Sequence, residues 1–551
     1  METHPHSPAR IAVVTGHGRA AHAVSGAFVS LLTAVGRWVE EVRAPTAFGD
    51  YALVVVTGVG AWEQTRCVYA GPLVVVDADR LAARPLPKSI RAAGMIAAGS
   101  VLLGAEARVL LPQPLPRLQG TRLFGVDPGV GVLADERTAY LLPVLLSPSF
   151  REIAGFWTLA TLLDRAVIAL LGERAGPYAE PWPDGAPSAR SVTCDLDDLD
   201  DVGRLDALAA TSRPATLFAC ADNIPARAGL GRYFEVAGHG DVHQPFANDE
   251  TNLRRVDAMM ERFATAGWDL TGFSPPNLIY SSPIAPLASR FRHLRLGYQG
   301  NSWRFFPTRV DDLAVTRVSF YTDFLHRYVG PAECGRLLVA ADAWSSGVRG
   351  MSVPCFHPGL WTEPLHAYLD QVAPPAWEAS LRDLAVWWGD RHRAVERAAR
   401  GDAIGEPRVR LVAQSVDERA AALRREERPA VPTRDAVAGV GRVEVGRRSY
   451  VVVPAGRDAT TGVEVPLDAA WSTARWLPAW CRARVIKVAN GGGVTAGLYG
   501  ALSLTPTVQG ASVRVPLAVP EEPVLLTAVR WREFLRPPRP PGMEREVTLR
   551  A

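Results

Sequence analysis

The sequence predicts a multi-domain α/β protein that ends in a β-sandwich, and three observations carry this prediction. In residues 1–150, continuous apolar runs alternate with stretches of helical spacing, a pattern typical of a parallel sheet covered on both faces. In residues 151–400, strand-like runs end in carboxylates and histidines. In residues 434–551, short β-rich runs lie close together with Gly and Pro between them, which indicates a β-sandwich.

The N-terminal part, residues 1–150, predicts one α/β domain. Strands are expected at residues 10–16, 51–58 and 73–77, with a fourth within 95–103, and helical spacing runs from residue 20 to 42. The arrangement resembles Rossmann-like domains of the flavodoxin and class I glutamine-amidotransferase type. Gly16-His17-Gly18 lacks the full GxGxxG pattern, and Cys67 does not stand in a Gly-x-Cys-x-Gly turn. We therefore expect a scaffold domain without catalytic residues.

The C-terminal part begins after a charged segment. Residues 401–433 are rich in charged side chains and predict an exposed helix and linker. The strands predicted beyond this linker lie at residues 443–445, 449–453, 462–465, 483–488, 511–517 and 523–529.

Composition and charge exclude several classes of protein. Apolar residues make up 48% of the chain and charged residues 21%, which is ordinary for a globular protein. The net charge is only +3 and the basic residues are spread along the chain, so no nucleic-acid partner is expected. Residues 153–171 form the most membrane-like segment, but Asp164 and Arg165 interrupt it. A transmembrane helix needs about 18 or more uncharged apolar residues, so we predict a buried amphipathic helix instead.

The N-terminus and the cysteines predict a cytoplasmic protein. The first residues carry Glu2 and two histidines, and the first apolar run, residues 11–14, is shorter than the roughly 7–15 residues of a signal peptide. None of the six cysteines forms a CxxC pair, which favours reduced, buried thiols over a disulfide framework.

Two carboxylates end a predicted strand in the central part. The run Ser191-Val192-Thr193-Cys194 leads into Asp195 and Asp197, and strand alternation places these two side chains on the same face. Such a pair suits one carboxylate that holds a metal and one that acts as a base. An acidic loop cap is the alternative, because Asp198, Asp200 and Asp201 follow.

Two histidines follow about forty residues later. His239 and His243 stand at positions i and i+4, which places them on one face of a predicted helical turn, where they can share a metal ion. The alternative for a lone histidine is an ordinary core residue. Together with the aspartates, the pair predicts an Asp-His-His site with open coordination positions, the form of a catalytic metal site.

A third histidine, His357, ends the apolar run that starts at Val353. Residues at the carboxyl ends of parallel strands point into the active site of a barrel. His357 is therefore a further candidate site residue.

The ordered set of motifs resembles the polysaccharide deacetylase superfamily, carbohydrate esterase family four, with its NodB-homology domain. Thr193 to Asp197 is similar to the Asp-x-Asp variant of the first motif, Pro214 to Phe218 to a Pro-Ala-Thr-x-Phe strand, and His239 to His243 to the His-x-x-x-His motif. The resemblance covers residues 190–370 and implies a distorted (β/α) barrel of about seven strands. It implies that Asp197, His239 and His243 are metal ligands. It also implies that Asp195 is the general base and His357 the general acid.

The third motif departs from the family pattern. Ser274 stands where the family has the arginine that orients the base, so either another residue pairs with Asp195 or activity is weak or altered. Asn277 stands where a backbone N–H helps to bind the oxyanion in the family.

The resemblance implies a divalent metal, with Zn²⁺ favoured over Co²⁺, Ni²⁺ or Fe²⁺, and an N-acetylhexosamine-containing substrate. Trp303 and Trp361 are candidate sugar-stacking platforms, although core packing is the more common role of tryptophan. The flanking domains resemble the plan of some exopolysaccharide deacetylases, in which the sandwich would bind carbohydrate. Two alternatives stay open: another metal-dependent amide hydrolase on the same fold, and a catalytically impaired glycan-binding protein.

Overall fold

The structure is a computed structural model of the 551-residue chain. It describes residues 8–15, 19–43, 48–57, 65, 68–76, 91–96, 99–103, 107–111, 115–119, 121–122, 131–141, 153–197, 204–224, 231, 234–299, 304–319, 322–323, 326, 331–359, 362–372, 376–402, 406–413, 418, 441–445, 448–453, 459–468, 485–490, 507–509, 512–517 and 524–530.

The N-terminal part contains a seven-stranded sheet in the order β2-β1-β3-β4-β11-β10-β9. The four pairings from β2 to β11 are parallel, and the last two are antiparallel. Helix α1 (Arg19–Val35) contacts β1, β2 and β3. The strands of this sheet are β1 (Arg10–Thr15), β2 (Trp38–Arg43), β3 (Leu53–Thr57), β4 (Leu73–Val76), β9 (Thr121–Arg122), β10 (Gly131–Asp135) and β11 (Thr138–Leu141).

Two of the predicted elements in this part are wrong. The helix predicted to residue 42 ends at Val35, because Gly36 takes a left-handed backbone (φ 102) and residues 38–43 pair with β1 as an edge strand. The single strand predicted within residues 95–103 is two strands that belong to separate two-stranded sheets. These sheets pair β5 (Arg91–Ile96) with β8 (Leu115–Gln119), and β6 (Gly99–Leu103) with β7 (Ala107–Leu111).

Helix α2 (Ile153–Leu171) is the predicted buried helix, and it joins the N-terminal sheet to the central part. Its Asp164 is fully buried and accepts hydrogen bonds from Arg37 Nε (2.6 Å) and from the hydroxyl of Tyr178 (2.7 Å). A continuous apolar core runs from the N-terminal sheet through this helix into the central part. Within the described residues, no helix has the length and apolarity that a membrane span requires.

The central part is built on a curled, half-barrel sheet of eight strands in the order β19-β20-β18-β17-β16-β15-β14-β22. All neighbours are parallel except β19 and β20. The segment that follows β20 contacts β22 and the residues before it, because Ser319 N donates to Val353 O (2.8 Å) and Thr322 forms a parallel bridge with Cys355. The strands are β14 (Val192–Leu196), β15 (Ala215–Cys220), β16 (Glu235–Gly240), β17 (Gly272–Phe273), β18 (His293–Tyr298), β19 (Thr308–Val310), β20 (Leu313–Val318) and β22 (Cys355–Phe356).

Helices and short strands surround this sheet. The helices are α3 (Asp206–Ala210), α4 (Asp249–Thr265), α5 (Pro331–Gly347), α6 (Glu363–Leu369) and α7 (Leu381–Ala399). The short strands are β12 (Tyr178–Ala179), β13 (Ala189–Arg190), β21 (Met351–Ser352), β23 (Trp377–Glu378) and β24 (Leu411–Val412).

A buried carboxylate–imidazole contact lies at the amino ends of two central strands. Glu235 at the start of β16 contacts His293 at the start of β18, with 2.6 Å between Oε1 and Nε2. The hydroxyl of Thr216 donates to Glu235 (2.8 Å), and so does the backbone N–H of Arg382 in the first turn of α7 (2.9 Å). These contacts attach α7 to the sheet at the edge opposite the strand ends that carry the motifs.

The C-terminal part contains strands at the positions that the sequence predicts. They pair in a mixed sheet in the order β25-β26-β31-β27-β30-β29, with β28 also on β31. A β-sandwich stays a prediction, and the predicted helix at residues 418–428 lies almost wholly outside the described residues. The strands are β25 (Gly441–Val445), β26 (Arg448–Val453), β27 (Ala459–Asp468), β28 (Val485–Asn490), β29 (Thr507–Gln509), β30 (Ser512–Leu517) and β31 (Val524–Arg530).

Candidate active site

The five predicted site residues meet at the carboxyl edge of the central sheet. Asp195 lies in β14 and Asp197 follows it, His239 lies in β16 and His243 follows in a bend, and His357 follows β22. The distance from Asp197 Oδ1 is 3.5 Å to His239 Nε2 and 3.3 Å to His243 Nε2. His357 Nε2 lies 3.8 Å from Asp195 Oδ2 and 4.0 Å from Asp197 Oδ2. Parallel strands bring these ends together, as at the catalytic face of a barrel.

Asp197, His239 and His243 fit a metal ion. Their candidate ligand atoms all lie within 4.8 Å of one another. Asp197 Oδ1 is buried and has no hydrogen-bond donor in the described part of the chain. A buried carboxylate oxygen without a donor is costly unless a cation satisfies it. One carboxylate and two imidazoles form a donor set that suits Zn²⁺ and leaves coordination positions open.

The orientation of His239 also fits a ligand. Its Nδ1 lies 2.7 Å from the backbone carbonyl oxygen of Ser274 and donates to it, so Nε2 is the ring nitrogen that faces Asp197. Metal-binding histidines commonly donate their second N–H to such an oxygen. His239 is almost completely buried, whereas the His243 side chain is 34% exposed. The two ligands therefore differ in how firmly the protein holds them.

The predicted helical turn between the two histidines is wrong. His239 belongs to β16, and residues 241–243 form a bend. Gly240 permits this bend with a φ of 149, and a Cβ there would lie 2.7 Å from the carbonyl oxygen of Val242. The two imidazoles approach each other, with 5.5 Å between ring centroids, through a strand end and a bend.

Burial and charge act in opposite directions on the two aspartates. Burial alone raises the pKa of Asp195, but the guanidinium of Arg295 and the imidazoles of His239 and His357 lower it below its usual range. Burial also raises the pKa of Asp197, and the three neighbouring imidazoles lower it further than burial raises it. Both groups are carboxylates at neutral pH, as a base and an anionic ligand require.

Arg295, on β18, is a site residue that the sequence reasoning missed. It is fully buried, and its Nη2 donates to Asp195 Oδ1. Its other nitrogens donate to Ser274 Oγ (3.0 Å) and Thr193 Oγ1 (2.6 Å), and its guanidinium lies over the ring of Phe218, 4.2 Å from the centroid. Arg295 thus contacts Asp195 from β18, the strand next to β17, which Ser274 follows.

Asp323 is a second residue that the sequence reasoning missed. Its Oδ1 lies 2.8 Å from His357 Nδ1, and its Oδ2 accepts the backbone N–H of His357. Burial lowers the pKa of His357, but Asp323 and then the two site aspartates raise it to about 10. The imidazole is therefore protonated at neutral pH and carries its second proton on Nε2, toward Asp195.

Three further residues, Asn277, Trp303 and Trp361, are predicted to contact the substrate. Asn277 lies in a 3-10 turn after β17, is exposed, and has a left-handed backbone (φ 55). Its role at the oxyanion stays a prediction. Trp303 and Trp361 lie outside the described residues.

No protein-family model matches the chain, and no curated protein matches it. Among solved structures, the chain is similar to a CE4 family pseudoenzyme from Bacillus anthracis (11% identity, TM-score 0.26), with 36% of this chain and 65% of that chain covered, which is just under two thirds. It is also similar to a family 4 acetyl xylan esterase from Clostridium thermocellum in complex with a cobalt ion (17% identity, TM-score 0.25), with 39% of this chain and 94% of that chain covered. A third similar structure is the peptidoglycan deacetylase PdaC from Bacillus subtilis (11% identity, TM-score 0.26), with 40% of this chain and 99% of that chain covered. These neighbours carry the family name that the motifs predict, but likeness at this level carries no information about activity.

Proposed function

We propose that the protein is a metal-dependent N-deacetylase that hydrolyses the acetamide of an N-acetylhexosamine-containing glycan or glycoconjugate. The observation that carries this proposal is the pair of opposed groups beside the candidate metal ligands. A buried carboxylate, Asp195, and a protonated imidazole, His357, lie beside Asp197, His239 and His243. Hydrolysis of an amide needs these three parts: an electrophile, a base and an acid.

A divalent ion, most simply Zn²⁺, would be held by Asp197, His239 and His243. When bound, it polarises the substrate carbonyl and acidifies a water molecule. Asp195 accepts a proton from the attacking water, and His357 donates the proton on Nε2 to the leaving nitrogen. Attack of the water oxygen forms the new C–O bond, and the C–N bond then breaks as the nitrogen takes its proton, which yields a free amine and acetate.

Asp323 and Arg295 hold the acid and the base in place. Asp323 fixes the ring of His357 through Nδ1 and through the backbone, so Nε2 remains directed at the site. Arg295 contacts Asp195, which removes the reason to expect an impaired protein from Ser274 alone. The choice of an acetylated sugar rests on the resemblance of the motifs. We also propose the division at residues 150, 400 and 433, and a carbohydrate-binding role for the C-terminal strands.

The test pairs metal analysis of the purified protein with acetate release from N-acetylhexosamine oligomers. We expect about one metal ion per chain, lost in His239→Ala and retained in Asp195→Asn, with acetate release abolished in both. His366→Ala, an exposed histidine on α6, is the matched control and keeps both metal and activity.

Two other results have different meanings. Metal without acetate release from any acetylated sugar would favour an amide hydrolase with another substrate, or a glycan-binding protein. A native protein that binds no metal would contradict the assignment of the site itself.

A further inference from the structure

The bend after β16 carries His243, the more exposed of the two candidate histidine ligands. One backbone hydrogen bond closes this bend, from Gln244 N to Val242 O (2.7 Å). Among the described backbone hydrogen bonds, the next one that attaches the segment to another part of the chain runs from Phe246 N to Ile279 O (3.1 Å). The position of the His243 side chain therefore depends on contacts that other side chains make with the bend.

Arg255, on α4, makes these contacts with its whole guanidinium. Its Nε and Nη2 donate to Oδ1 of Asp241 (2.9 and 2.7 Å), and Nε also contacts Oδ2 (3.2 Å). Its Nη1 donates to the backbone carbonyl oxygen of Pro245 (2.9 Å), and Nη2 donates to that of Gln244 (3.2 Å). The acceptors lie on both sides of His243 in the chain, so one rigid, planar group holds the bend before and after the ligand.

The guanidinium of Arg255 is itself held in place. It lies over the ring of Phe246, 4.1 Å from the centroid, and this ring is fully buried against Phe273. Asn252, about one turn earlier on α4, donates to the carbonyl oxygen of Phe246 (3.0 Å). The side chains of Arg255 and Asp241 are only 18% and 22% exposed, so water screens their attraction less than it screens a surface pair.

We propose that Arg255 is the positioning residue of His243, and that it sets the affinity of the site for its metal ion by fixing the shape of the bend. The proposal rests on the proposed function, in which His243 is a metal ligand. The two histidines are then held in different ways. A backbone oxygen of Ser274 orients the ring of His239 directly, whereas Arg255 acts on His243 through the backbone and side chain of its neighbours.

Charge alone predicts the opposite effect of removing Arg255. The guanidinium neutralises Asp241, which stands two residues before His243. Without the guanidinium, this carboxylate would add a negative charge near a cation site and would strengthen metal binding. Loss of the shape of the bend would weaken metal binding, because the ligand would then have to be ordered when the ion binds. The direction of the change in metal Kd therefore separates the two effects.

The experiment compares Arg255→Met, Arg255→Lys, His243→Ala and the double variant Arg255→Met/His243→Ala. The Kd for Zn²⁺ is measured by chelator competition on the full chain, and thermal stability is measured beside it. We expect Arg255→Met to raise Kd by about 10–100-fold, the usual effect of losing a group that orients a ligand. Arg255→Lys should raise Kd by at least about threefold but less than Arg255→Met, because an ammonium can hold Asp241 but not both carbonyl oxygens as well.

The double variant distinguishes positioning from a general structural role. If Arg255 acts through His243, its removal has no further effect once the imidazole is gone. We therefore expect the double variant to have a Kd within about threefold of that of His243→Ala. A loss of stability that weakened the whole site would add to the effect of His243→Ala instead.

The matched control is Arg290→Met, which removes a similar ion pair from the same helix. Arg290 Nε and Nη2 contact the two carboxylate oxygens of Asp257 on α4 (2.7 and 3.2 Å), and Nη1 donates to the carbonyl oxygen of Pro286 (2.9 Å). This pair holds a different segment of the chain, so Arg290→Met should keep the metal Kd of the wild type.

Three outcomes would overturn the proposal. The first is a Kd of Arg255→Met that equals or falls below that of the wild type, and if this variant does not fold, the same result in Arg255→Lys. The second is an equal rise of Kd in Arg255→Met and Arg290→Met, which would assign Arg255 a merely structural role. The third is a double variant that binds metal more than about tenfold more weakly than His243→Ala.

The readout is metal affinity, so the proposal is tested separately from the reaction. A wild type that binds metal but releases no acetate would contradict the proposed deacetylase and leave the role of Arg255 to be decided by the Kd values above. A wild type that binds no metal would contradict both the site and the role of Arg255.

Discussion

Gly272 has no room for a methyl group, and the substitution Gly272→Ala tests the buried contact between Glu235 and His293. A Cβ on Gly272 would fall inside the imidazole of His293, 2.6 Å from Cδ2 and closer still to Nε2 and Cε1. His293 is fully buried, and its Nε2 is held 2.6 Å from Glu235. The ring cannot yield without leaving Glu235.

Two free-energy costs set the expected loss of stability. The ring of His293 either stays in an overpacked core or moves away from Glu235. Overpacking a well-filled core costs about 1–3 kcal/mol. Separating His293 from Glu235 leaves a buried carboxylate without its partner, which costs about 3–5 kcal/mol. We therefore expect Gly272→Ala to lower the free energy of unfolding of the central part by about 3–5 kcal/mol.

The matched control is the same substitution in a helix. Gly389 lies inside α7, partly exposed, and a Cβ there would meet only the flexible end of Arg393 at 3.4 Å. Gly389→Ala should raise stability by about 0.5–1 kcal/mol, because alanine loses less backbone entropy in a helix. Urea denaturation followed by tryptophan fluorescence measures the free energy of unfolding of both variants. A Gly272→Ala protein within about 1 kcal/mol of the wild type would refute the reasoning.

Three further predictions concern the same groups. Burial raises the pKa of Glu235, but the imidazole of His293 and the hydrogen bonds to the carboxylate lower it below the usual range. The carboxylate therefore stabilises the fold fully above about pH 4.3, and this stabilisation is lost as pH falls through the lowered pKa. The free energy of unfolding of Glu235→Gln, measured by urea denaturation, should be lower than that of the wild type at pH 7. This difference should become smaller below about pH 4. Asp323→Asn should lower kcat by about 10²–10⁴-fold at constant metal content, because the ring of His357 loses its charged partner. Steady-state kinetics measures this loss, and an unchanged kcat would contradict it. Chelator competition should show at least about tenfold weaker metal binding in His239→Ala than in His243→Ala, since His239 is buried and its ring is held by a backbone oxygen.

The strand-end residues of the site were predictable because local patterns carry them. A strand that ends in Asp195 and Asp197 needs only alternation to place both side chains on one face. The grouping of His239 with His243 was also predictable, although the reason given was wrong. Spacing of i and i+4 fits a helical turn, but Gly240 lets a strand end and a bend produce the same approach.

Arg295 and Asp323 were not predictable, because no local pattern distinguishes them. Arg295 lies 100 residues from Asp195, and Asp323 lies 34 residues from His357. The chain contains 60 lysines and arginines, so an arginine in an apolar run is not by itself a signal. Only the register of β17 against β18 shows that the arginine next to Ser274 points to the base. The end of α1 at Val35 was likewise decided by pairing with β1.

The charges inside the curled sheet support a cation at the site. The described ionisable groups that contact one another there include three carboxylates, Asp195, Asp197 and Asp323, against one guanidinium and the imidazolium of His357. Cys355, which also contacts Asp195, stays neutral because burial raises the pKa of its thiol well above the usual value. When His239 and His243 are neutral, as metal ligands must be, the group carries one excess negative charge in a buried environment, where unpaired charge is costly. A divalent cation held by Asp197, His239 and His243 would reverse the sign and leave one excess positive charge. That charge would complement the negative oxygen that develops when water attacks an amide carbonyl. Such an ion would therefore relieve the buried carboxylates and stabilise the transition state of the proposed reaction.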